Sequence, residues 1–168
     1  MKNALILLLS IFTSFTALSK ELYFKHLGIR DGLSQICIYS IYQDEMGAMW
    51  FGSSEGLNRY NGKEIKVYQP SQYRQNLTSN EINDLCGDKQ GHIYIRSGND
   101  LIVFNIYKEQ FVCLRKNDVK GIFCQSDKLW VICSNAIYTY LPEEEVLKLF
   151  VSFPTDLGEG RGIFADTE

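Results

Sequence analysis

The sequence predicts an all-β chain of repeated four-stranded antiparallel meanders, and three observations predict it. One pattern is written three times. Trp50 stands seven residues before Leu57 and ten before Tyr60; Tyr94 stands at the same distances from Leu101 and Phe104, and Trp130 from Ile137 and Tyr140. Aromatics make up 13% of the 168 residues, with ten Tyr and ten Phe, and with Ile and Val they are the residues that suit a pleated surface. Turn residues punctuate the chain between short apolar runs, as at Asp44 to Gly47 and Asn61-Gly62, where left-handed backbone is tolerated. Recurrence at a few tens of residues reads as a solenoid or propeller. A four-stranded meander with an aromatic in its second strand reads as a propeller blade.

The bulk composition narrows the function classes. Apolar residues at 45% and charged residues at 22% are ordinary for a soluble protein. A net charge of −3 argues against nucleic-acid binding, which needs clustered Lys and Arg against phosphates. Residues 1–19 read as a signal peptide. Lys2 is the positive end, Ala4 to Phe12 the apolar run, and Ala17 and Ser19 the small residues before cleavage. The run falls short of the about 20 residues that a membrane span needs, and no second apolar span follows. The mature chain is then 20–168, exported. Five Cys remain, at 37, 86, 113, 124 and 133. Export permits disulfides, but the odd count leaves at least one thiol over. Their positions are not equivalent between repeats, so the favoured reading is small hydrophobes on strands.

Taken in order, Leu22 to Leu27 reads as a short apolar strand and Arg30 to Gly32 as a turn. The first unit spans about 32–70. Its first strand, Gln35 to Gln43, puts Ile36, Ile38, Ser40 and Tyr42 on one face and Cys37, Tyr39 and Ile41 on the other. Both faces are largely apolar, which predicts a strand covered on both sides. Ala48 to Gly52, Leu57 to Tyr60 and Lys63 to Tyr68 complete the meander, and Asn61-Gly62 predicts a tight hairpin with positive φ at both residues. The second unit, about 76–116, has strands at Glu81 to Cys86, His92 to Arg96, Leu101 to Phe104 and Phe111 to Leu114. The third, about 117–153, has them at Gly121 to Cys124, Leu129 to Cys133, Ala136 to Tyr140 and Val146 to Phe150. Gly162-Ile163-Phe164 repeats Gly121-Ile122-Phe123, so 161–168 reads as the start of a fourth unit. With Ile41, Leu85, Ile122 and Ile163 equivalent, the spacings are 44, 37 and 41 residues. The expectation is about three complete blades of an incomplete propeller, the N-terminal piece of something longer.

The wording of the first unit is more specific than its periodicity. Asp31-Gly32-Leu33-Ser34-Gln35, Gln43-Asp44, Gly47, Met49-Trp50-Phe51-Gly52 and Gly56-Leu57-Asn58-Arg59-Tyr60-Asn61-Gly62 closely resemble the two-component regulator propeller repeat. The later units are degenerate copies: Arg96 and Ile132 stand where Gly52 does, and Gln125 stands where Asp44 and Asp88 do. The resemblance implies the periplasmic sensor of a Bacteroidetes hybrid two-component system. Its complete form has two seven-bladed propellers, a β-sandwich, a transmembrane helix, a histidine kinase, a receiver and a DNA-binding domain. It also implies oligosaccharide as the ligand class.

No residue pattern points to catalysis, a cofactor or a metal. There is no serine–histidine–aspartate spacing, no His cluster and no calcium loop, and residues 52–56 lack what a phosphate loop requires. His26 and His92 sit in strand contexts. Trp50, Leu57 and Tyr60 read as packing residues. Topology marks one face for binding, where the turns between second and third strands emerge with the linkers between units: Ser53 to Gly56, Ser97 to Asp100, Ser134, Asn135 and residues 69–79. Glu143 to Glu145 fall on the opposite side. Asn76-Leu77-Thr78 is a glycosylation sequon that matters only in a eukaryotic secretory host. Two rival readings stand beside the sensor: an exported module that closes a ring from several copies, and the N-terminal part of a propeller enzyme acting on carbohydrate.

Overall fold

The computed structural model describes residues 22–70, 77–125 and 128–153. These residues form three four-stranded antiparallel sheets in which each strand pairs with its neighbour in sequence. The first sheet is β1 (Ile38–Gln43), β2 (Met49–Ser53), β3 (Gly56–Tyr60) and β4 (Ile65–Tyr68). The second is β5 (Ile82–Gly87), β6 (His92–Ser97), β7 (Asp100–Asn105) and β8 (Gln110–Arg115). The third is β9 (Val119–Gln125), β10 (Lys128–Cys133), β11 (Ala136–Leu141) and β12 (Val146–Ser152). β1 lies against β5 and β5 against β9, so the sheets fan outward from a hub of first strands. This is the all-β blade architecture that the repeat predicts.

The three units share register as well as strand order. Trp50 pairs with Tyr42, Tyr94 with Cys86 and Trp130 with Phe123. In every sheet one extra residue bulges from the first strand at the same place, at Tyr39, Asn83 and Lys120. A bulge of this kind bends the strand and tightens its twist, and here it lies on the hub.

Two apolar layers hold the fan together. Trp50 and Leu57 from the first sheet meet Ile82, Ile93, Ile95, Ile102, Phe104 and Phe111 from the second. Tyr94, Leu101 and Val103 on the other face of the second sheet meet Val119, Ile122, Leu129, Val131 and Tyr140 of the third. The repeated aromatic of each unit thus points toward the following unit. Trp130 points the same way, onto a face that no described residue covers. It stacks on Phe123 at 6.2 Å and meets the edge of Phe150 at 4.9 Å.

Gly52 shows why the first unit keeps a glycine that the later ones lack. A Cβ there would sit 2.7 Å from the Ile82 carbonyl oxygen and 2.8 Å from Ile82 Cγ2, inside the van der Waals limit against backbone. Gly52→Ala is expected to destabilise the fold by about 1–3 kcal/mol through overpacking, read as a drop in the urea midpoint.

Several sequence expectations are corrected. Leu22 to Leu27 is not a strand: Leu22, Tyr23 and Phe24 are exposed, His26 lies in irregular backbone, and no described strand offers this stretch a ladder. The chain turns instead through a 3-10 segment, Ile29–Asp31, ended by Gly32 at φ +108°. β1 is covered on one side only, since Tyr39 and Ile41 face solvent on the side away from the second sheet. The Asn61-Gly62 turn has positive φ at Gly62 alone. The Asn61 side chain makes the turn, its Oδ1 accepting from Lys63 N and Glu64 N at 2.9 Å each, as an Asx turn does. Asn105 repeats the device toward Tyr107 N and Lys108 N. The signal-peptide residues, Asn76 of the sequon and the 161–168 start of a fourth unit lie outside the described residues.

Candidate ligand-binding rim

The turns joining second to third strands and the linkers entering each sheet meet on one side, and hydrogen bonds show how. Ser97 Oγ donates to the Ser79 carbonyl at 2.9 Å and accepts from Ser79 N at 2.8 Å. Ser53 Oγ donates to Gly56 O at 2.9 Å and lies 3.1 Å from Ser34 Oγ. In the third sheet Ser134 takes this part, its N and Oγ both donating to Asp118 Oδ1, at 3.2 and 2.5 Å. In the first two units a serine at the end of the second strand, and in the third the serine just after it, clamps the segment that leads into that same sheet.

The clamp changes which residues are free to touch a ligand. Ser53, Gly56 and Ser97 are buried, and their polar groups are occupied within the fold. Solvent instead meets Glu55, Asn99 and Asn135, one at the tip of each turn and equivalent in the repeat. Ser54, Gly98 and Ser134 stand half-buried beside them. In the linker, Gln69 Nε2 donates to the Glu55 carbonyl at 2.9 Å and Leu77 is buried, while 71–76 lie outside the described residues. Glu143 to Glu145 are exposed on the opposite side, as expected.

Sequence reasoning missed Arg96. Its Nε donates to Asp84 Oδ2 at 2.6 Å and one terminal nitrogen donates to Gly98 O at 3.2 Å, which ties a cation to the rim turn. The signal was present as the departure from glycine at this repeat position. Sequence also left Asn58 unassigned. This buried amide receives Ser34 N at 2.8 Å on Oδ1 and donates to Ser34 Oγ at 2.9 Å. It thereby docks the Asp31-Gly32-Leu33-Ser34 motif, with Leu33 buried, onto the outer face of the first sheet.

Electrostatics singles out Asp118. Its hydrogen bond from Ser134 Oγ holds its carboxyl below the ordinary carboxylate range, helped by Ser134 N–H and by Arg115 and Lys120. A depressed folded pKa contributes stability that is complete above the unfolded value and is lost as pH falls through the folded one. Asp118→Asn is therefore expected to lower stability at neutral pH and to converge on the parent chain as pH falls through the folded Asp118 pKa, in thermal melts recorded at stepped pH.

The remaining surface offers less. A cavity of about 130 Å³ lined by His92, Asn105, Lys108 and Pro142 opens on the side opposite the rim, well below the ~300 Å³ at which small-molecule pockets begin. Among the described residues, no group of three His, Cys, Asp or Glu is placed to hold a metal ion, and no helix is long and apolar enough to cross a membrane.

Comparison with known proteins agrees with this geometry. The family described as two component regulator propeller matches residues 32–55, a span containing the Ser34–Ser53 clamp and the Asp44 turn. A protein named histidine kinase P4 from Formosa agariphila is 38% identical over 56 residues, which is 33% of this chain and 4% of that protein. The crystal structure of the extracellular domain of a putative hybrid two component system from B. thetaiotaomicron superposes with a TM-score of 0.65 at 28% identity, covering 79% of this chain and 20% of that one. A second such extracellular domain from the same organism gives 0.53 at 23% identity over 74% of this chain and 16% of its own, a likeness of fold alone. The chain thus spans a small part of the length of each relative.

Proposed function

This chain carries the two component regulator propeller repeat, and on that premise we propose that it serves as an exported segment of the ligand-sensing domain of a hybrid two-component system. The ligand class is oligosaccharide and the contact surface is the rim. The observation that supports this best is the repeat of exposed hydrogen-bonding tips, Glu55, Asn99 and Asn135, on a side where the buried serines already fix the backbone. Carboxylate and amide groups at regular intervals on rigid turns suit a hydroxyl-rich ligand, because each sugar hydroxyl both donates and accepts. Rigid placement lowers the ordering cost of binding. The signalling chemistry belongs to kinase and receiver modules of the longer proteins, and the part proposed for this segment is recognition without catalysis. Units at about 32–70, 76–116 and 117–153 are its repeats, and further blades are its immediate partners.

Isothermal titration of the 168-residue chain with a panel of neutral and acidic oligosaccharides tests the reading. The expected result is saturable binding to at least one, weakened tenfold or more by the Glu55→Ala, Asn99→Ala, Asn135→Ala triple substitution. Binding that the triple substitution leaves intact removes the rim as the site. A folded chain that binds nothing in the panel removes oligosaccharide as the ligand class. A chain found with an intact N-terminus inside the producing bacterium removes export.

A second reading is a self-assembling module. The first sheet exposes Tyr39 and Ile41, and the third exposes Leu149 and Phe150. Patches of this kind mark partner surfaces. Sedimentation that resolves a defined oligomer, with no glycan binding, favours it over the sensor segment.

A further inference from the structure

The hub brings together two thiols that sequence places 38 residues apart. Cys124 Sγ and Cys86 Sγ stand 2.7 Å from one another, one on β9 and one on β5. Both are half-buried. Their meeting is a consequence of register. Cys86 pairs with Tyr94 and so faces the third sheet, as Tyr94 does. Cys124 pairs with Leu129 and so faces the second sheet, as Leu129 does. The two positions differ by one residue in the repeat: Cys86 is equivalent to Phe123, and Cys124 to Gly87. Because strand side chains alternate, an offset of one is what turns two thiols on neighbouring parallel-running first strands toward each other.

We propose that Cys86 and Cys124 form a disulfide that cross-links the second and third sheets at the hub. This rests on the reading of the chain as exported, since an oxidising compartment is where such bonds persist. The sulfurs need close only to about 2.0 Å. The remaining thiols suit the role less. Cys37 and Cys113 are exposed, and Cys133 is buried among apolar neighbours.

The step is a thiol–disulfide exchange with a disulfide-bonded oxidant. The Cys86 thiolate attacks one oxidant sulfur, breaks its S–S bond and releases one thiol, leaving a mixed disulfide on Cys86. The Cys124 thiolate then attacks the Cys86 sulfur, forms the Cys86–Cys124 bond and releases the second thiol. The two cysteines lose two electrons and two protons, and the oxidant becomes two thiols. The hydrogen bond with Cys124, together with burial, raises the Cys86 thiol above its ordinary range. Thiolate is the attacking species, so the bond forms fastest as the chain folds and slowly once the hub has closed.

The test is thiol counting on the 168-residue chain, refolded with oxidised glutathione and alkylated in denaturant. The expected result is loss of two of the five thiols, one cross-linked peptide pair carrying Cys86 and Cys124, and the same bond in the Cys37→Ser, Cys113→Ser, Cys133→Ser variant. That variant leaves the pair untouched, so the readout does not depend on a chain altered at the hub. Five free thiols after oxidation, glutathione adducts without a cross-link, or a bond through any other cysteine each overturn the proposal. The oxidation is performed in vitro, so its outcome is independent of export: a chain retained in the cytoplasm yet oxidised in vitro fails the export reading and not the disulfide.

Discussion

Trp50→Ala is expected to lower stability by about 3–5 kcal/mol, the range for truncating a large aromatic in a packed core, and Trp130→Ala at the same repeat position by about 1 kcal/mol or less, as for a half-exposed side chain. Trp50 is fully buried. Its ring stacks on Tyr68 at 5.9 Å and tilts against Phe104 at 5.3 Å, and the Arg59 guanidinium lies 5.3 Å from its centroid. Its indole N–H donates to Asp44 Oδ2 at 2.8 Å. Alanine there opens a cavity between the first two sheets and leaves the carboxylate without one of its donors. Trp130 touches Phe123 and Phe150 on a face that no described residue covers and is only partly buried, so its truncation removes less buried contact. Urea denaturation of the two variants measures the contrast, and equal losses would mean that the third sheet's outer face is covered in solution.

The second large effect is expected at Asp44. Its buried carboxylate accepts from Met46 N at 3.0 Å and Ala48 N at 2.8 Å through Oδ1, and from Trp50 through Oδ2. One side chain therefore closes the turn and fixes the core aromatic. Asp44→Ala removes all three acceptor contacts and leaves buried donors unmet, which is expected to cost about 3 kcal/mol. Asp44→Asn keeps Oδ1 as an acceptor but sets an NH₂ against the indole N–H, and is expected to cost about 1–2 kcal/mol. Thermal melts of the two variants give the order. Because Asp44 and Trp50 share a bond, the double variant should lose less than the sum of the singles. Asp88 is built alike, with Gln90 N and His92 N on Oδ1 and Tyr94 OH near Oδ2. Gln125 lacks the device and pairs with Lys128 at the end of the ladder.

The fold was legible because its governing signals are local and repeated. The spacing of Trp50, Leu57 and Tyr60 survives in units that have lost most of the motif, since all three positions are held to large side chains: Trp50 and Leu57 face the next sheet, and the third position takes the other face, as Phe104 does against the first sheet. Strand existence and order followed from turn chemistry at Asp44 to Gly47 and at Asn61-Gly62. What failed depended on partners distant in sequence. Leu22 to Leu27 has strand composition, but a strand needs a ladder, and composition cannot supply one. Tyr39 and Ile41 are apolar enough for a buried face, yet what lies across from them is not written in their own alternation. Topology put the turns between second and third strands on one side with the linkers, as the hydrogen bonds do, while the burial of individual turn residues was not legible. Ser53 and Ser97 look like surface polar residues until the linkers Ser34 and Ser79 are seen to occupy them. The Cys86–Cys124 pair was hidden for a related reason: inequivalence in the repeat argues against a repeated staple, but a facing pair across two like sheets demands inequivalence by one.

The serine clamps bear on how such a chain changes over generations. Each clamp ties a unit to the segment that leads into that same unit, by Ser53 to Ser34, Ser97 to Ser79 and Ser134 to Asp118. None reaches across to the adjoining unit. What joins adjoining units is chiefly apolar packing, which is tolerant of exchange so long as volume is kept. A duplicated or deleted segment that starts at one clamp and stops before the next thus carries its clamp with it and asks of its neighbours apolar surface and a few polar bonds, such as Val119 N to Asn99 O and Asn117 N to Asp100 Oδ1. The joint between units is the interchangeable part, and the clamp marks where gene duplication can cut.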